Sequence, residues 1–161
     1  KAEEPSPTLT VTALDHIIQD VVDSERLAAD GTDIKFVLDV PADLKVRADP
    51  EQLFRVLSNL ARNARQAIAA TGQGGQIRLT ATDQPKHWVN EVQDDGPGLP
   101  AKAREHLFTA FRGGARKGGS GLGLAIAAEL VRGHGGTLEL TETGASGTVF
   151  RILLPKGDGT F

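Results

Sequence analysis

Residues 49–70 open with Asp49-Pro50-Glu51 and carry Asn59-Leu60-Ala61-Arg62-Asn63-Ala64 at their centre, and this stretch decides the fold. Asp as N-cap, Pro in the first turn and Glu at the positive end of the dipole predict a long helix from Asp49 to about Ala70, stopping before Gly72. At about 100° per residue, Leu53, Val56, Leu57, Leu60, Ala64, Ala67 and Ile68 fall within an arc of roughly 120°, which is a core face. Arg55, Asn59, Arg62, Asn63 and Gln66 gather on the adjoining sector, with Asn63 nearest the apolar border. Asn is a poor helix-interior residue because its amide competes for backbone hydrogen bonds, so two of them one turn apart need a reason. One reading is a solvated face. The other is that their carbonyl oxygens, hard neutral ligands, face a cleft and hold a Mg2+ already crowded by phosphate oxygens.

Outward from this helix the pattern is mixed. Thr12 to Ala29 has a three-four apolar spacing through Leu14, Ile17, Ile18, Val21 and Val22, with Thr12 and Asp15 at a capping-box distance. Lys35–Val40 and Leu44–Arg47 read as two strands joined by a turn at Pro41 and Asp43. Gln76–Thr82 and His87–Gln93 alternate as a hairpin that ends in Asp94-Asp95-Gly96-Pro97-Gly98-Leu99-Pro100. Residues 101–107 suit a short helix, and residues 109–120, rich in Gly, Arg and Lys, suit a mobile loop. Gly121–Arg132 is expected to be helical, and Thr137–Thr141 and Thr148–Leu154 to be strands joined through residues 142–147. Adjacent strands in pairs imply a mostly antiparallel sheet covered by helices on one face, an α+β fold. Residues 1–8 read as a linker, 9–155 as one domain and 156–161 as a tail.

Composition narrows the function classes. The chain has 161 residues, with 18 Lys+Arg against 21 Asp+Glu, a net charge of -3, and this length suits one domain. The absence of cysteine excludes disulfides, thiolate metal sites, Fe–S clusters and cysteine nucleophiles, and fits a reducing compartment such as the cytoplasm. A mild negative charge with six Phe, one Trp and no Tyr argues against nucleic acid as a partner. No apolar run approaches the roughly 18 residues of a spanning helix, so no membrane segment is expected in this stretch.

Three glycine clusters carry the remaining signal. Asp94-Asp95-Gly96-Pro97-Gly98 is either an ordinary turn or a device in which the Asp94 carboxylate faces a donor while Gly96 and Gly98 let a flat ring approach the backbone. A carboxylate accepts from the exocyclic amine of adenine and not from the keto oxygen of guanine. Gly118-Gly119-Ser120-Gly121-Leu122-Gly123-Leu124 runs into a helix whose first N–H groups suit an anion, although its spacing fits neither a P-loop nor a dinucleotide fingerprint. Gly144-Ala145-Ser146-Gly147-Thr148 reads as a hairpin loop. A triphosphate carries about four negative charges, and a net-acidic chain must offset them locally. Arg112, Arg116 and Lys117 stand just before the second cluster and would serve.

Four segments then occur in order: Asn59-Leu60-Ala61-Arg62-Asn63-Ala64, Asp94-Asp95-Gly96-Pro97-Gly98, Leu107-Phe108-Thr109-Ala110-Phe111 and Gly119-Ser120-Gly121-Leu122-Gly123-Leu124. This series resembles the N, G1, F and G2 boxes of the catalytic ATP-binding domain of two-component sensor histidine kinases, over about Leu9 to Pro155. The wider superfamily includes type II topoisomerase, heat-shock-90 chaperone and mismatch-repair ATPases. The resemblance implies the Bergerat ATP-binding fold, a two-layer α/β sandwich with ATP between helices and sheet. It implies Asn63 on Mg2+ with Asn59 assisting, Asp94 on the adenine amine, and residues 100–120 as a lid. It also implies nucleotide contacts from Gly96, Gly98, Leu99, Lys117, Gly119, Ser120, Gly121, Leu122, Gly123 and Thr148.

Departures from the pattern are informative. Related kinases often place Lys or Arg at the position of Gln66 and an aromatic at that of Ala67, so Arg62, Arg65 or the loop cations are left to meet the phosphates. Where the superfamily's hydrolases have a water-activating Glu, this chain has Asn59, which is no general base, so transfer is favoured over hydrolysis. None of His16, His87, His106 and His134 stands in the context of a phosphoacceptor. The resemblance therefore implies a histidine on a separate dimerisation domain of the same parent protein, which can itself be membrane-anchored, and a response regulator downstream. A non-catalytic ATP-sensing module and a Bergerat-fold ATPase stay open as alternatives.

Overall fold

The computed structural model describes residues 5–100, 104 and 120–157. The long helix, α2 (Pro50–Ala69), starts as its sequence dictates. The Asp49 side chain accepts from the Gln52 N–H at 3.1 Å, and Pro50 occupies the first helical position. Its inner face buries Leu53, Val56, Leu57, Leu60 and Ile68, each 1% exposed. Each such side chain contributes roughly 1.5–3 kcal/mol on burial, against a propensity cost below about 0.7 kcal/mol for each asparagine. The core face therefore decides the helix, and the polar sector is tolerated.

Helices α1 (Leu14–Ala28) and α3 (Ser120–Gly133) flank α2. The three share one core with the inner face of a five-stranded sheet, contributed by Ile77, Leu79, Trp88, Val92, Phe150, Ile152 and Leu154. The sheet runs in the order β2 (Ile34–Asp39), β4 (Gly75–Asp83), β5 (His87–Asp94), β7 (Gly147–Pro155), β6 (Thr137–Gly144). Only β2 and β4 pair in parallel; the rest is antiparallel. This is the expected two-layer α+β sandwich, with helices on one face of a mostly antiparallel sheet.

Two local expectations are corrected. Thr12 does not cap α1: it lies in β1 (Thr10–Ala13), which pairs with β3 (Lys45–Ala48) in a separate two-stranded sheet. The helix starts behind Ala13 without a side-chain cap, while Asp15 accepts instead from the backbone N–H groups of His16 and Asp43. Residues 34–48 do form two strands around a turn, with Asp43 at φ 63°, but the strands part into different sheets and do not make a hairpin. The helix and loop expected over residues 101–119 lie outside the described residues, apart from Arg104.

The start of α2 is also a junction. Asp49 Oδ2 accepts from the Thr8 N–H at 2.9 Å, and Gln52 Nε2 donates to the Pro5 carbonyl at 2.9 Å. The Asp49 N–H donates to His134 Nε2 at 3.0 Å, and His134 Nδ1 then donates to the Leu130 carbonyl at 2.9 Å. His134 thus holds the end of α3 on the cap of α2, a structural task.

Candidate functional site

Helix α2 places Asn59 and Asn63 one turn apart, half-buried, at the edge of the core. Arg62 Nη2 donates to Asn59 Oδ1 at 2.6 Å. A side chain at Gly123, in the first turn of α3, would meet that same oxygen at 3.6 Å, so the glycine-rich start of α3 faces the asparagine sector. Arg65 points elsewhere: its Nε donates to Glu25 Oε1 at 2.7 Å and ties α2 to α1 through a largely buried ion pair. Gln66 is exposed.

At the end of β5, Asp94 is only 8% exposed and sits opposite Ile77 of β4 and Thr148 of β7. Its Oδ1 accepts from the Gly96 N–H at 2.8 Å. Burial pushes its carboxyl above the ordinary carboxylate range; the neighbouring Asp95 charge adds to this, while the Gly96 and Thr148 backbone N–H groups partly offset it. Asp95 itself is structural, its Oδ1 accepting from the Gln76 N–H at 2.9 Å.

Glycines bring this end together. A Cβ on Gly96 would sit 3.5 Å from Ile68 and 3.8 Å from Ala67, so the turn rests on the last turns of α2. Gly98, at φ 85°, lies against the backbone of Gly144, where a Cβ would approach a carbonyl oxygen within van der Waals contact. Intramolecular packing alone therefore requires glycine at 98. Gly147, at φ 133°, is pressed against the Asp94 backbone in the same way. The Leu99 N–H donates to Thr143 Oγ1 at 2.8 Å, and the Thr143 and Thr148 hydroxyls are 2.9 Å apart. Thr143 is a residue that the sequence reading misses. Only the register of the β6–β7 hairpin, which pairs it with Thr148, identifies it.

The structure thus brings Asp94, Gly96, Gly98, Leu99 and Thr148 together at one end of α2, and Asn59, Asn63 and Gly123 along its middle. Gly96 rests near Ala67, eight residues beyond Asn59, which is about 12 Å along a helix axis. Ser120, Gly121 and Leu122 belong to the first turn of α3. Lys117 and Gly119, with Arg112, Arg116, His106, Phe108 and Phe111, lie outside the described residues.

Residues 48–158 match the model of the histidine kinase-, DNA gyrase B- and HSP90-like ATPase family. The chain belongs to this family. Within it, the similar proteins are sensor kinases. The sensor-like histidine kinase SenX3 of Mycobacterium tuberculosis is 31% identical over 157 residues, which cover 94% of this chain and 38% of SenX3. The chain accordingly spans about two fifths of the length of that relative. Among solved structures, the nucleotide-free catalytic domain of histidine kinase ThkA shares 31% identity with a TM-score of 0.78, over 92% of this chain and 98% of ThkA's. Full-length ShkA in complex with AMPPNP matches at 28% identity and a TM-score of 0.80, over 96% of this chain and 32% of ShkA's. The chain is an ATP-binding catalytic domain of the sensor histidine kinase type. No helix among the described residues of this domain is long and apolar enough to cross a membrane.

Proposed function

We propose that this domain binds ATP with Mg2+ along α2 and presents the γ-phosphate for in-line transfer to a histidine on a dimerisation domain of the same parent protein. A response regulator then receives the phosphoryl group. The observation that carries the reading is the juxtaposition beside one helix of two polar stations. One is a buried carboxylate, Asp94, walled by glycines beside Ala67; the other is a pair of half-buried amides, Asn63 and Asn59, about 6 and 12 Å from Ala67 along the helix axis.

Each residue has a task in this reading. Asp94 accepts from the adenine amine, with Thr148 beside it completing the polar edge. Asn63, with Asn59 assisting, would hold Mg2+ through amide oxygens. No cluster of three His, Cys, Asp or Glu side chains suited to a metal occurs among the described residues. Two neutral oxygens suit an ion whose other ligands are phosphates and water. When bound, Mg2+ supplies charge neutralisation between the phosphate oxygens. The chain's own contribution is positioning, and Asn59 offers no general base to activate water. Dependence on ATP puts the domain on the cytoplasmic side, whether or not its parent is anchored in a membrane. Lys117, Gly119 and the segment around residues 100–120 complete the phosphate end in this reading.

The test is to incubate the full-length parent with γ-labelled ATP. Acid-labile, base-stable label on the protein, lost in Asn63→Ala, supports the reading. Label released only as free phosphate points to a hydrolase, and nucleotide binding without any label points to an ATP sensor; either outcome overturns it.

A further inference from the structure

Helix α2 carries three arginines at positions 55, 62 and 65, and the structure divides the last two sharply. Arg65 is spent on Glu25: the Nε–Oε1 distance is 2.7 Å, and the two side chains are 19% and 9% exposed. Releasing it would strand a buried carboxylate, so it is not free to serve a ligand. Arg62 is exposed, and it donates to the neutral oxygen of Asn59 at 2.6 Å. Gln66, on the same sector, carries no charge. The guanidinium of Arg62 therefore stands among the asparagines and beside the first turn of α3, since Gly123 also faces Asn59.

A guanidinium gains more from an anionic oxygen than from an amide oxygen, and its planar fork matches a phosphate. We propose that Arg62 is the α2 cation that grips the phosphates of the bound nucleotide, exchanging the Asn59 oxygen for a phosphate oxygen and thereby setting the preference for ATP over adenosine. This rests on the ATP reading above and names the residue that supplies its charge. The exchange leaves the Asn59 oxygen open toward the cation carried by the nucleotide. Before nucleotide binds, Arg62 occupies that oxygen; in the loaded chain it neutralises phosphate charge from a position four residues before the one where related kinases often place a base.

The experiment is calorimetric titration of adenosine, ADP and ATP, with Mg2+, into the wild type and the variants Arg62→Gln, Arg62→Lys and Arg65→Ala. Arg62→Gln is expected to lose about tenfold in ATP affinity, the scale of one charge-assisted hydrogen bond, while adenosine affinity stays within about twofold. Arg62→Lys restores only part of the preference, because it keeps the charge but replaces the fork with a point charge. Arg65→Ala lowers thermal stability and keeps the ATP-to-adenosine ratio. An Arg62→Gln variant with wild-type ATP affinity would show that the side chain only props Asn59, and equal losses for ATP and adenosine would show a structural role; either overturns the proposal. A wild type that binds none of the three ligands sinks the ATP reading and this assignment together, whereas a wild type that binds ATP normally confines any failure to Arg62.

Discussion

The two stations along α2 are built by opposite means. At the Asp94 end, backbone meets backbone: Gly98 lies on Gly144, Gly147 lies on Asp94, and hydroxyls of Thr143 and Thr148 bridge what remains. At the asparagine end, side chains of one helix face make the station, and Arg62 and Asn59 are partners through a single exposed hydrogen bond. The first station leaves no room for an added atom at Gly98 or Gly147. The second can exchange partners at little cost to the fold. In the proposed reading, base recognition needs a fixed shape and phosphate recognition needs movable charge, and the two ends suit those needs.

The sharpest way to break this contrast is Gly147→Ala. Its Cβ would collide with the Asp94 carbonyl at a φ of 133°, so a loss of about 3 kcal/mol or more is expected in chemical denaturation. Gly144→Ala, whose Cβ would meet nothing within 4 Å, should be close to neutral in the same hairpin. Equal effects would show that the packing at the Asp94 end is not steric.

Next in size is Arg65→Ala, which strands Glu25 between α1 and α2 and should cost about 2 kcal/mol. Arg62→Ala, three residues earlier and exposed, should stay within about 0.5 kcal/mol by the same measurement. Asp49→Ala removes the N-cap together with the tie to Thr8 and should cost about 1–2 kcal/mol.

Asp94→Asn is expected to change stability by at most about 1 kcal/mol, and in the stabilising direction. The folded chain binds the Asp94 proton more tightly than the unfolded chain does, because burial raises its pKa. Stability tied to the protonated form is whole below the ordinary value of 3.8 and is lost as the pH rises through the raised one. At pH 7 the charged carboxylate is thus a liability, and Asp94→Asn is expected to be as stable as the wild type or up to about 1 kcal/mol more stable. That advantage should shrink as the pH falls toward 3.8. Adenine affinity of the wild type should fall over the same descent, since the protonated oxygen no longer accepts. Thermal melts across pH, paired with nucleotide titrations, check both halves.

Much of this is legible in local sequence. Asp49 and Pro50 announce α2, the 3.6 period assigns its core face, and Asp94 stands at the end of an alternating run. What is not legible depends on distant partners. Thr10–Ala13 reads as the approach to a helix, because nothing local shows that β3, about 35 residues on, pairs with it. β2 and β3 look like a hairpin because proximity in sequence favours one, yet β2 takes β4 as its parallel neighbour. Arg62 and Arg65 are both left by the sequence as cations to meet the phosphates; Glu25, 40 residues away on another helix, takes Arg65 out of that role. Thr143 stays hidden because β6 and β7 run closer to their turn than the alternation in sequence suggests.

That one nucleotide spans both stations is the central claim, and amide NMR spectra of the domain titrated with ATP and Mg2+ test it most directly. The backbone signals of Gly96, Leu99 and Thr148 and the side-chain amide signals of Asn59 and Asn63 are expected to shift together with one dissociation constant. Shifts confined to the outer sheet face around Glu91 and Arg151, or separate constants for the two groups, would contradict it.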